Sequence, residues 1–355
     1  MRVALDATAL SLSSGGLARY VGELSRALAR TFPEDDYLLL SDQPFDLPHS
    51  SPANLRAARG PRCWLERRWW LWGATAHARR AGMEVFHGTN FEVPCLPLMP
   101  SVLSLHDLSP WMDPAWHANA QRVRRRTPLL IGLRLATIVL TDSEAVRRQA
   151  IERFRIHPSC VAAVPLAASR VFRPVPAPRT ERPYFLFVGA LEPRKNLRLL
   201  LEAWRQVRKR HEVDLVIAGR RREDFPSIRE EPGLRLLGEV PDEQLPYLYS
   251  AALAFLYPSL YEGFGLPVLE AMQCGAPVIT SRDPSISEVA GGAAWQLDAR
   301  DVRAWIEALS QAAARPESLA EFRRRGLRRA AEFSWERTAR LTREVYAEAA
   351  RRFRT

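Results

Sequence analysis

Twice along this chain, short apolar runs alternate with helical stretches, and a proline-rich segment separates the two series. The first series has apolar runs at 3–5, 37–40, 85–86, 102–105 and 138–140, with a helical stretch at 18–29. The second has runs at 184–188, 213–218, 234–237, 251–256 and 277–280. Buried strands interleaved with helices predict parallel sheets, so the fold class is α/β, with two Rossmann-like halves. At 355 residues the chain has room for both, each with its own core. Val171-Phe172-Arg173-Pro174-Val175-Pro176-Ala177-Pro178 reads as an extended linker. The expected division is therefore 1–170, a hinge at 171–182, and 183–334. A final stretch, 335–355, forms an amphipathic helix that Ser334-Trp335-Glu336-Arg337 caps and that runs to about residue 352.

Composition narrows the class. No apolar stretch is long enough to span a bilayer, since 129–140 is short and interrupted by Arg134, and the N-terminus enters a strand directly rather than a signal peptide. The expectation is a cytoplasmic protein. Cys63, Cys95, Cys160 and Cys274 have no metal-ligand spacing and are read as free thiols. The net charge is +11 and the isoelectric point about 10.1, which raises nucleic acid or an anionic membrane as partners without choosing between them. The excess is almost all arginine. Only Lys195 and Lys209 are lysine, which draws attention to Lys195, placed in a strand-to-helix turn.

Two turns of the second half carry chemistry. In Pro258-Ser259-Leu260-Tyr261-Glu262-Gly263-Phe264-Gly265-Leu266-Pro267-Val268-Leu269-Glu270, a strand leads through a glycine-bearing loop into a helix. Free N–H groups and the helix dipole suit a phosphate there, and Gly263 and Gly265 let backbone approach it closely. Glu262 in the loop can reach a polar ligand, and Glu270 in the helix can accept from a diol. An anion site with two acceptors points to a sugar nucleotide. The second turn is Gly189-Ala190-Leu191-Glu192-Pro193-Arg194-Lys195-Asn196, where Gly189 frees the strand exit and Arg194 and Lys195 offer two cations to a diphosphate. Near the start, Gly15-Gly16 opens a helix with Arg19 nearby, and lacks the full dinucleotide-binding glycine spacing. His106-Asp107 and His87 end apolar runs, the edge where ligands meet parallel sheets. There is no Asp-x-Asp between apolar strands and no His/Cys cluster with ligand spacing, which argues against a metal.

Glu262 and Glu270, with seven residues between them that begin Gly-Phe-Gly-Leu-Pro, resemble the signature of the large retaining glycosyltransferase family with the GT-B fold, glycosyl transferases group 1. The resemblance covers essentially the whole chain and is strongest over 184–290. It implies two Rossmann-like domains facing across a cleft, with the last helix crossing back to the first domain. It implies a nucleoside-diphosphate sugar as substrate and no cofactor. Gly189, Arg194 and Lys195 would hold the pyrophosphate, and their charge would help the nucleoside diphosphate depart. Gly15 and Gly16 would cover the diphosphate. Glu262, Gly263, Phe264, Gly265, Leu266 and Glu270 would line the donor site, and the backbone around Val240 in Gly238-Glu239-Val240-Pro241 would meet the nucleobase. His106 would hydrogen-bond the donor sugar, so that His106, Lys195 and Glu262 are the catalytic candidates, with Asp107 as an acceptor-side base or orienter. Retention would proceed by front-face substitution. The family's usual Asn-Gly in the linker region is absent, since 164–169 reads Val-Pro-Leu-Ala-Ala-Ser.

Gly-Gly-x-x-Arg-Tyr at 15–20 and His-Asp-Leu-Ser-Pro at 106–110 look most like mannosyltransferases that build surface polysaccharides, which favours GDP-mannose and a saccharide or lipid-linked acceptor. Arg67-Arg68-Trp69-Trp70-Leu71-Trp72 and the arginines at 122 and 124–126 suit the face of an anionic membrane, or equally a helix with buried indoles. Two other readings stand beside the transferase. A sugar-nucleotide epimerase of similar fold would need acid–base pairs aimed at the ring. A basic nucleic-acid-binding protein has no recognisable module here, so nucleic acid is not expected as a partner.

Overall fold

The computed structural model describes every residue except 12–14, 48–49, 59, 62–65, 118–119, 177–179, 224 and 355. Cys63 and the end of the proline run, Ala177-Pro178, fall outside the described residues. The chain divides into two compact units, Met1–Leu166 with Ser334–Thr355, and Ala167–Phe333.

The first unit is built on a parallel sheet of seven strands: β1 (Arg2–Asp6), β2 (Asp36–Leu40), β3 (Leu55–Ala57), β4 (Val85–Gly88), β5 (Ser101–Leu105), β6 (Ile138–Thr141) and β7 (Val161–Ala163). Their order is β3-β2-β1-β4-β5-β6-β7. The second unit has six parallel strands: β8 (Tyr184–Val188), β9 (Asp214–Ala218), β10 (Leu234–Gly238), β11 (Ala254–Tyr257), β12 (Val278–Ser281) and β13 (Trp295–Leu297), in the order β10-β9-β8-β11-β12-β13. Both sheets run outward from a central strand in one direction and then return to continue in the other. That reversal leaves a switch point beside β1 and β4 in the first sheet and beside β8 and β11 in the second. In open parallel sheets the carboxyl ends of the strands at such a switch point are where ligands bind.

Central strands of a parallel sheet are covered on both faces: β4, β5, β6, β8, β11 and β12 are buried at every residue. Three outer strands, β3, β7 and β13, were not foreseen. Each has three residues and only one that is buried, too short a segment to read as a strand. Conversely, the run 251–256 is not all strand. Ala251 ends the helix Leu245–Ala251, and β11 starts at Ala254.

The passage between units lies at Leu166/Ala167, ahead of the proline run. Part of the expected hinge is firmly fixed in the second unit: Phe172 is fully buried, and Gln273 Nε2 donates to the carbonyls of Ser169 and Phe172 at 3.0 and 2.6 Å.

The helix Trp335–Arg354 returns to the first unit. It packs along the helix Gly16–Thr31, and its Tyr346 hydroxyl meets His87 Nδ1 at 2.7 Å. His87 Nε2 in turn meets Ser104 Oγ at 2.8 Å, and Ser104 meets the Tyr20 hydroxyl at 3.0 Å. His87 is completely buried, so it does not face a ligand at the edge of the sheet but ties the returning helix to β4 and β5. Burial pushes its imidazole down to about 3, so it stays neutral and can both donate and accept. Arg343 adds a rim contact, donating to Asp35 at 2.6 and 3.1 Å.

Candidate functional site

In the second unit the loops after β8 and β11 are joined to one another. Leu260 N donates to the Arg194 carbonyl at 2.8 Å, and Asn196 Nδ2 donates to the Pro258 carbonyl at 3.2 Å. Two glycines make the strand exits fit. Gly219, just past β9, has φ +141°, and a Cβ there would lie 2.0 Å from the Gly189 carbonyl oxygen, so only glycine lets these two strand ends close on each other. Gly265, at φ +101°, turns the loop after β11 into the helix Leu266–Gln273.

The stitching brings together residues that lie far apart in sequence. Lys195 Nζ donates to Glu262 Oε1 and to the Tyr257 hydroxyl, both at 2.5 Å. Arg194 Nη1 donates to Glu262 Oε2 at 2.8 Å and to the Tyr261 carbonyl at 3.0 Å. On its other side, Arg194 Nε lies 2.7 Å from Glu192 Oε1, and Arg222 Nη1 donates to Glu192 Oε2 at 3.2 Å. Lys195, Glu192 and Glu262 are each 6% exposed. Three cations and two carboxylates therefore share one buried cluster at the switch point of the sheet.

Burial alone would raise the Glu262 carboxyl. Arg194 and Lys195 overcome that and hold it down at about 2. Burial and the neighbouring Arg194 lower Lys195, while Glu262 and Glu192 work against them. Asp283 caps the helix Pro284–Ala290, accepting from Ser285 N and Ile286 N at 3.0 Å, and burial raises it to about 6.

Glu270 lies beside this cluster in sequence but is 1% exposed in the helix, with the Tyr249 hydroxyl donating to it at 3.3 Å. Phe264 is buried against Phe333, with ring centroids 6.1 Å apart. Gly263 and Gly265 are buried and Leu266 half-buried. Val240 is half-buried in the loop after β10. Sequence reasoning missed Tyr257, Glu192 and Arg222 as members of the cluster. Glu192 carried a signal, an acid two residues from the cation pair, whereas Tyr257 is indistinguishable from the apolar strand that ends with it.

In the first unit, Gly15 precedes the helix Gly16–Thr31 at φ +124°, and both glycines are exposed with open space where a Cβ would stand. His106 is placed differently from the expectation. Its Nε2 lies 2.7 Å from the Thr89 carbonyl and its Nδ1 2.8 Å from Asp142 Oδ2. A carbonyl only accepts, so Nε2 carries a proton. Burial opposes charge here, but Asp142 and Thr89 raise the imidazole above its ordinary range, and both ring nitrogens are occupied. As placed, His106 has no ring proton left for a sugar. Asp107 is likewise committed, accepting from Ser109 N at 2.9 Å and Ser109 Oγ at 2.6 Å at the start of the short helix Ser109–Met112.

The Arg/Trp segment divides. Trp69 is buried in the core, Trp70 packs partly against it, and Leu71 and Trp72 are exposed at 38% and 49% beside exposed Arg67 and Arg68. Three arginines of the second basic cluster are occupied. Arg122 grips Glu92 through two bonds of 3.0 Å, Arg126 is 3.3 Å from the same carboxylate, and Arg124 donates to the carbonyls of Pro110 and His117. Cys95, Cys160 and Cys274 are free thiols. Among the described residues, no helix is long and apolar enough to cross a membrane.

Residues 169–329 match the family of glycosyl transferases group 1. The O-antigen chain mannosyltransferase B of Escherichia coli is 36% identical over 283 residues, covering 74% of this chain and 74% of that protein. The O-antigen chain mannosyltransferase RfbU of Salmonella typhimurium is 26% identical over 238 residues, 64% of this chain and 65% of RfbU. Among solved structures, sucrose-phosphate synthase from Thermosynechococcus elongatus superposes with a TM-score of 0.77 over 98% of both chains at 20% identity, a likeness of fold.

Proposed function

We propose that this chain, which belongs to the glycosyl transferases group 1, moves mannose from GDP-mannose to a saccharide or lipid-linked saccharide acceptor, with retention at the anomeric carbon. The observation that carries the reading is the Arg194–Lys195–Glu262 cluster at the switch point of the second sheet, with the N-terminus of Leu266–Gln273 opening from the same loop. Buried, pre-placed cations act most strongly on charge that develops during reaction. Here that charge is on the departing diphosphate. The two O-antigen mannosyltransferase relatives weigh for transfer over epimerisation and for mannose as the sugar.

In the proposed reaction the bond from the anomeric carbon to the phosphate oxygen breaks as the acceptor oxygen bonds to that carbon on the same face. The acceptor proton passes to the leaving phosphate. Arg194 and Lys195 take up the charge of the diphosphate, and Glu262 accepts from a sugar hydroxyl. Exposed Trp72 and Leu71 beside Arg67 and Arg68 support peripheral contact with an anionic membrane, where a lipid-linked acceptor would lie.

The test is thermal stabilisation by GDP, UDP and ADP, followed by incubation with GDP-mannose and assay of GDP release. Stabilisation by GDP above the others, with GDP release, is expected. Stabilisation by UDP or ADP instead would overturn the donor assignment. A protein that responds to none of them has no donor site of this kind.

A further inference from the structure

The second-unit cluster is self-neutralised in a particular way. Glu262 does not merely lie near the cations. Each of its oxygens takes one of them, Oε1 on Lys195 at 2.5 Å and Oε2 on Arg194 at 2.8 Å. A two-oxygen anion bridging an ammonium and a guanidinium is also what one face of a diphosphate presents. We propose that Glu262 is an internal counterion that the donor's diphosphate displaces, so that binding of the anion and release of the carboxylate toward the sugar are a single exchange. The inference rests on the donor-site reading above.

Charge and geometry favour exchange over simple addition. Arg194, Lys195 and Arg222 face Glu192 and Glu262, three cations against two carboxylates. A doubly charged diphosphate added beside an unmoved Glu262 would leave the buried cluster with an excess of like charge, and repulsion between neighbouring anions is costly where water is excluded. Glu192 is the poorer group to yield, because it also pairs with Arg222, away from the two cations that Glu262 bridges. The backbone under Glu262 stays in place without its side chain: Arg194 also donates to the Tyr261 carbonyl at 3.0 Å, and its own carbonyl accepts from Leu260 N at 2.8 Å. Exchange therefore leaves the loop backbone where it is and moves the Glu262 side chain, while Tyr257 keeps Lys195 aimed.

An ordinary ligand-binding carboxylate and a displaced counterion predict opposite results. Removing the charge of a counterion improves anion binding, because the cations no longer have to give up a partner. Calorimetric titration of inorganic pyrophosphate and of GDP into the wild type and Glu262→Gln should give about tenfold tighter binding by the variant, the scale of one charge-assisted hydrogen bond no longer broken. The gain should vanish in Glu262→Gln/Lys195→Met. Glu262→Gln should also melt lower than wild type without anion and recover more on adding pyrophosphate. Equal or weaker anion binding by Glu262→Gln overturns the exchange. If that variant does not fold, Glu262→Asp, whose shortened carboxylate cannot bridge both cations, should show a smaller gain of the same sign, and its absence overturns the exchange equally. A wild type that binds no nucleoside diphosphate sinks the donor-site reading itself, whereas one that binds GDP without any gain in the variants sinks only the exchange.

Discussion

Replacing Lys195 by methionine keeps an unbranched stem of similar length and removes the ammonium, so it isolates the charge. The ammonium is 6% exposed and has two partners, Glu262 and Tyr257, each at 2.5 Å. A hydrogen bond to a charged group is worth about 1.5–3 kcal/mol, which would be roughly 10–150-fold in affinity if a phosphate simply gained it. Lys195 must give up Glu262 to make that bond, so the net loss in GDP affinity belongs near the lower end, about 10–30-fold. Turnover should suffer more, because charge on the leaving diphosphate grows toward the transition state. Loss of one such donor typically costs about 100–1000-fold. The assay is GDP affinity by calorimetry together with GDP release from GDP-mannose, with far-ultraviolet circular dichroism to check the fold. GDP affinity within twofold of wild type, in a folded variant, would refute the assignment of Lys195 to the diphosphate.

The first unit offers a test that leaves the second untouched. Tyr346→Phe removes the hydroxyl that pairs with fully buried His87, leaving a ring nitrogen without its partner, at a cost of about 1–3 kcal/mol. Melting of that unit should fall by roughly 2–4 °C per kcal/mol, with GDP affinity unchanged. A melting temperature within 1 °C of wild type, by rough allowance for scan error, would show that the contact contributes little. Stability should also fall at both ends of the pH range. Glu262 is depressed to about 2 from an ordinary 4.5, so its contribution is fully present above pH 4.5 and disappears as pH falls toward 2. His106 is raised above 6.5, so its contribution is complete below that value and disappears as pH rises through the folded value. Chemical denaturation across pH checks both: Glu262→Gln should flatten the acid limb and His106→Gln the alkaline one, and an unchanged limb in either variant would count against that pairing.

Much of this molecule is legible in its sequence, and the reasons are physical. Central strands such as β8 and β11 declare themselves because a strand covered on both faces needs an unbroken apolar run. Outer strands β3, β7 and β13 are three residues long and bury one residue each, too little to stand out. Glycines at strand exits are visible, although only the structure reveals that Gly219 is required by its approach to Gly189. Arg194, Lys195 and Glu262 were identified by residue type, but their mutual pairing was not, because it depends on the register that sets the ends of β8 and β11 side by side. His106 and His87 show the same limit. Both end strands, yet one is held between a carboxylate and a backbone carbonyl and the other lies inside a tyrosine–serine network. Periodicity and residue identity cannot separate the two, because the difference comes from partners as far as 259 residues away.

That distance bears on how the protein comes to be folded as it is made. The second unit is one continuous piece of chain, Ala167–Phe333, whereas the first needs Ser334–Thr355 as well as Met1–Leu166. As the polypeptide grows, the first 166 residues emerge without the helix that covers Tyr20, His87 and Ser104. The second unit has all of its strands as soon as Phe333 is out. Contacts between distant segments form slowly, and domains otherwise tend to fold in the order of synthesis. Here the order is inverted: Ala167–Phe333 can mature before Ser334–Thr355 is made, whereas Met1–Leu166 waits for that helix.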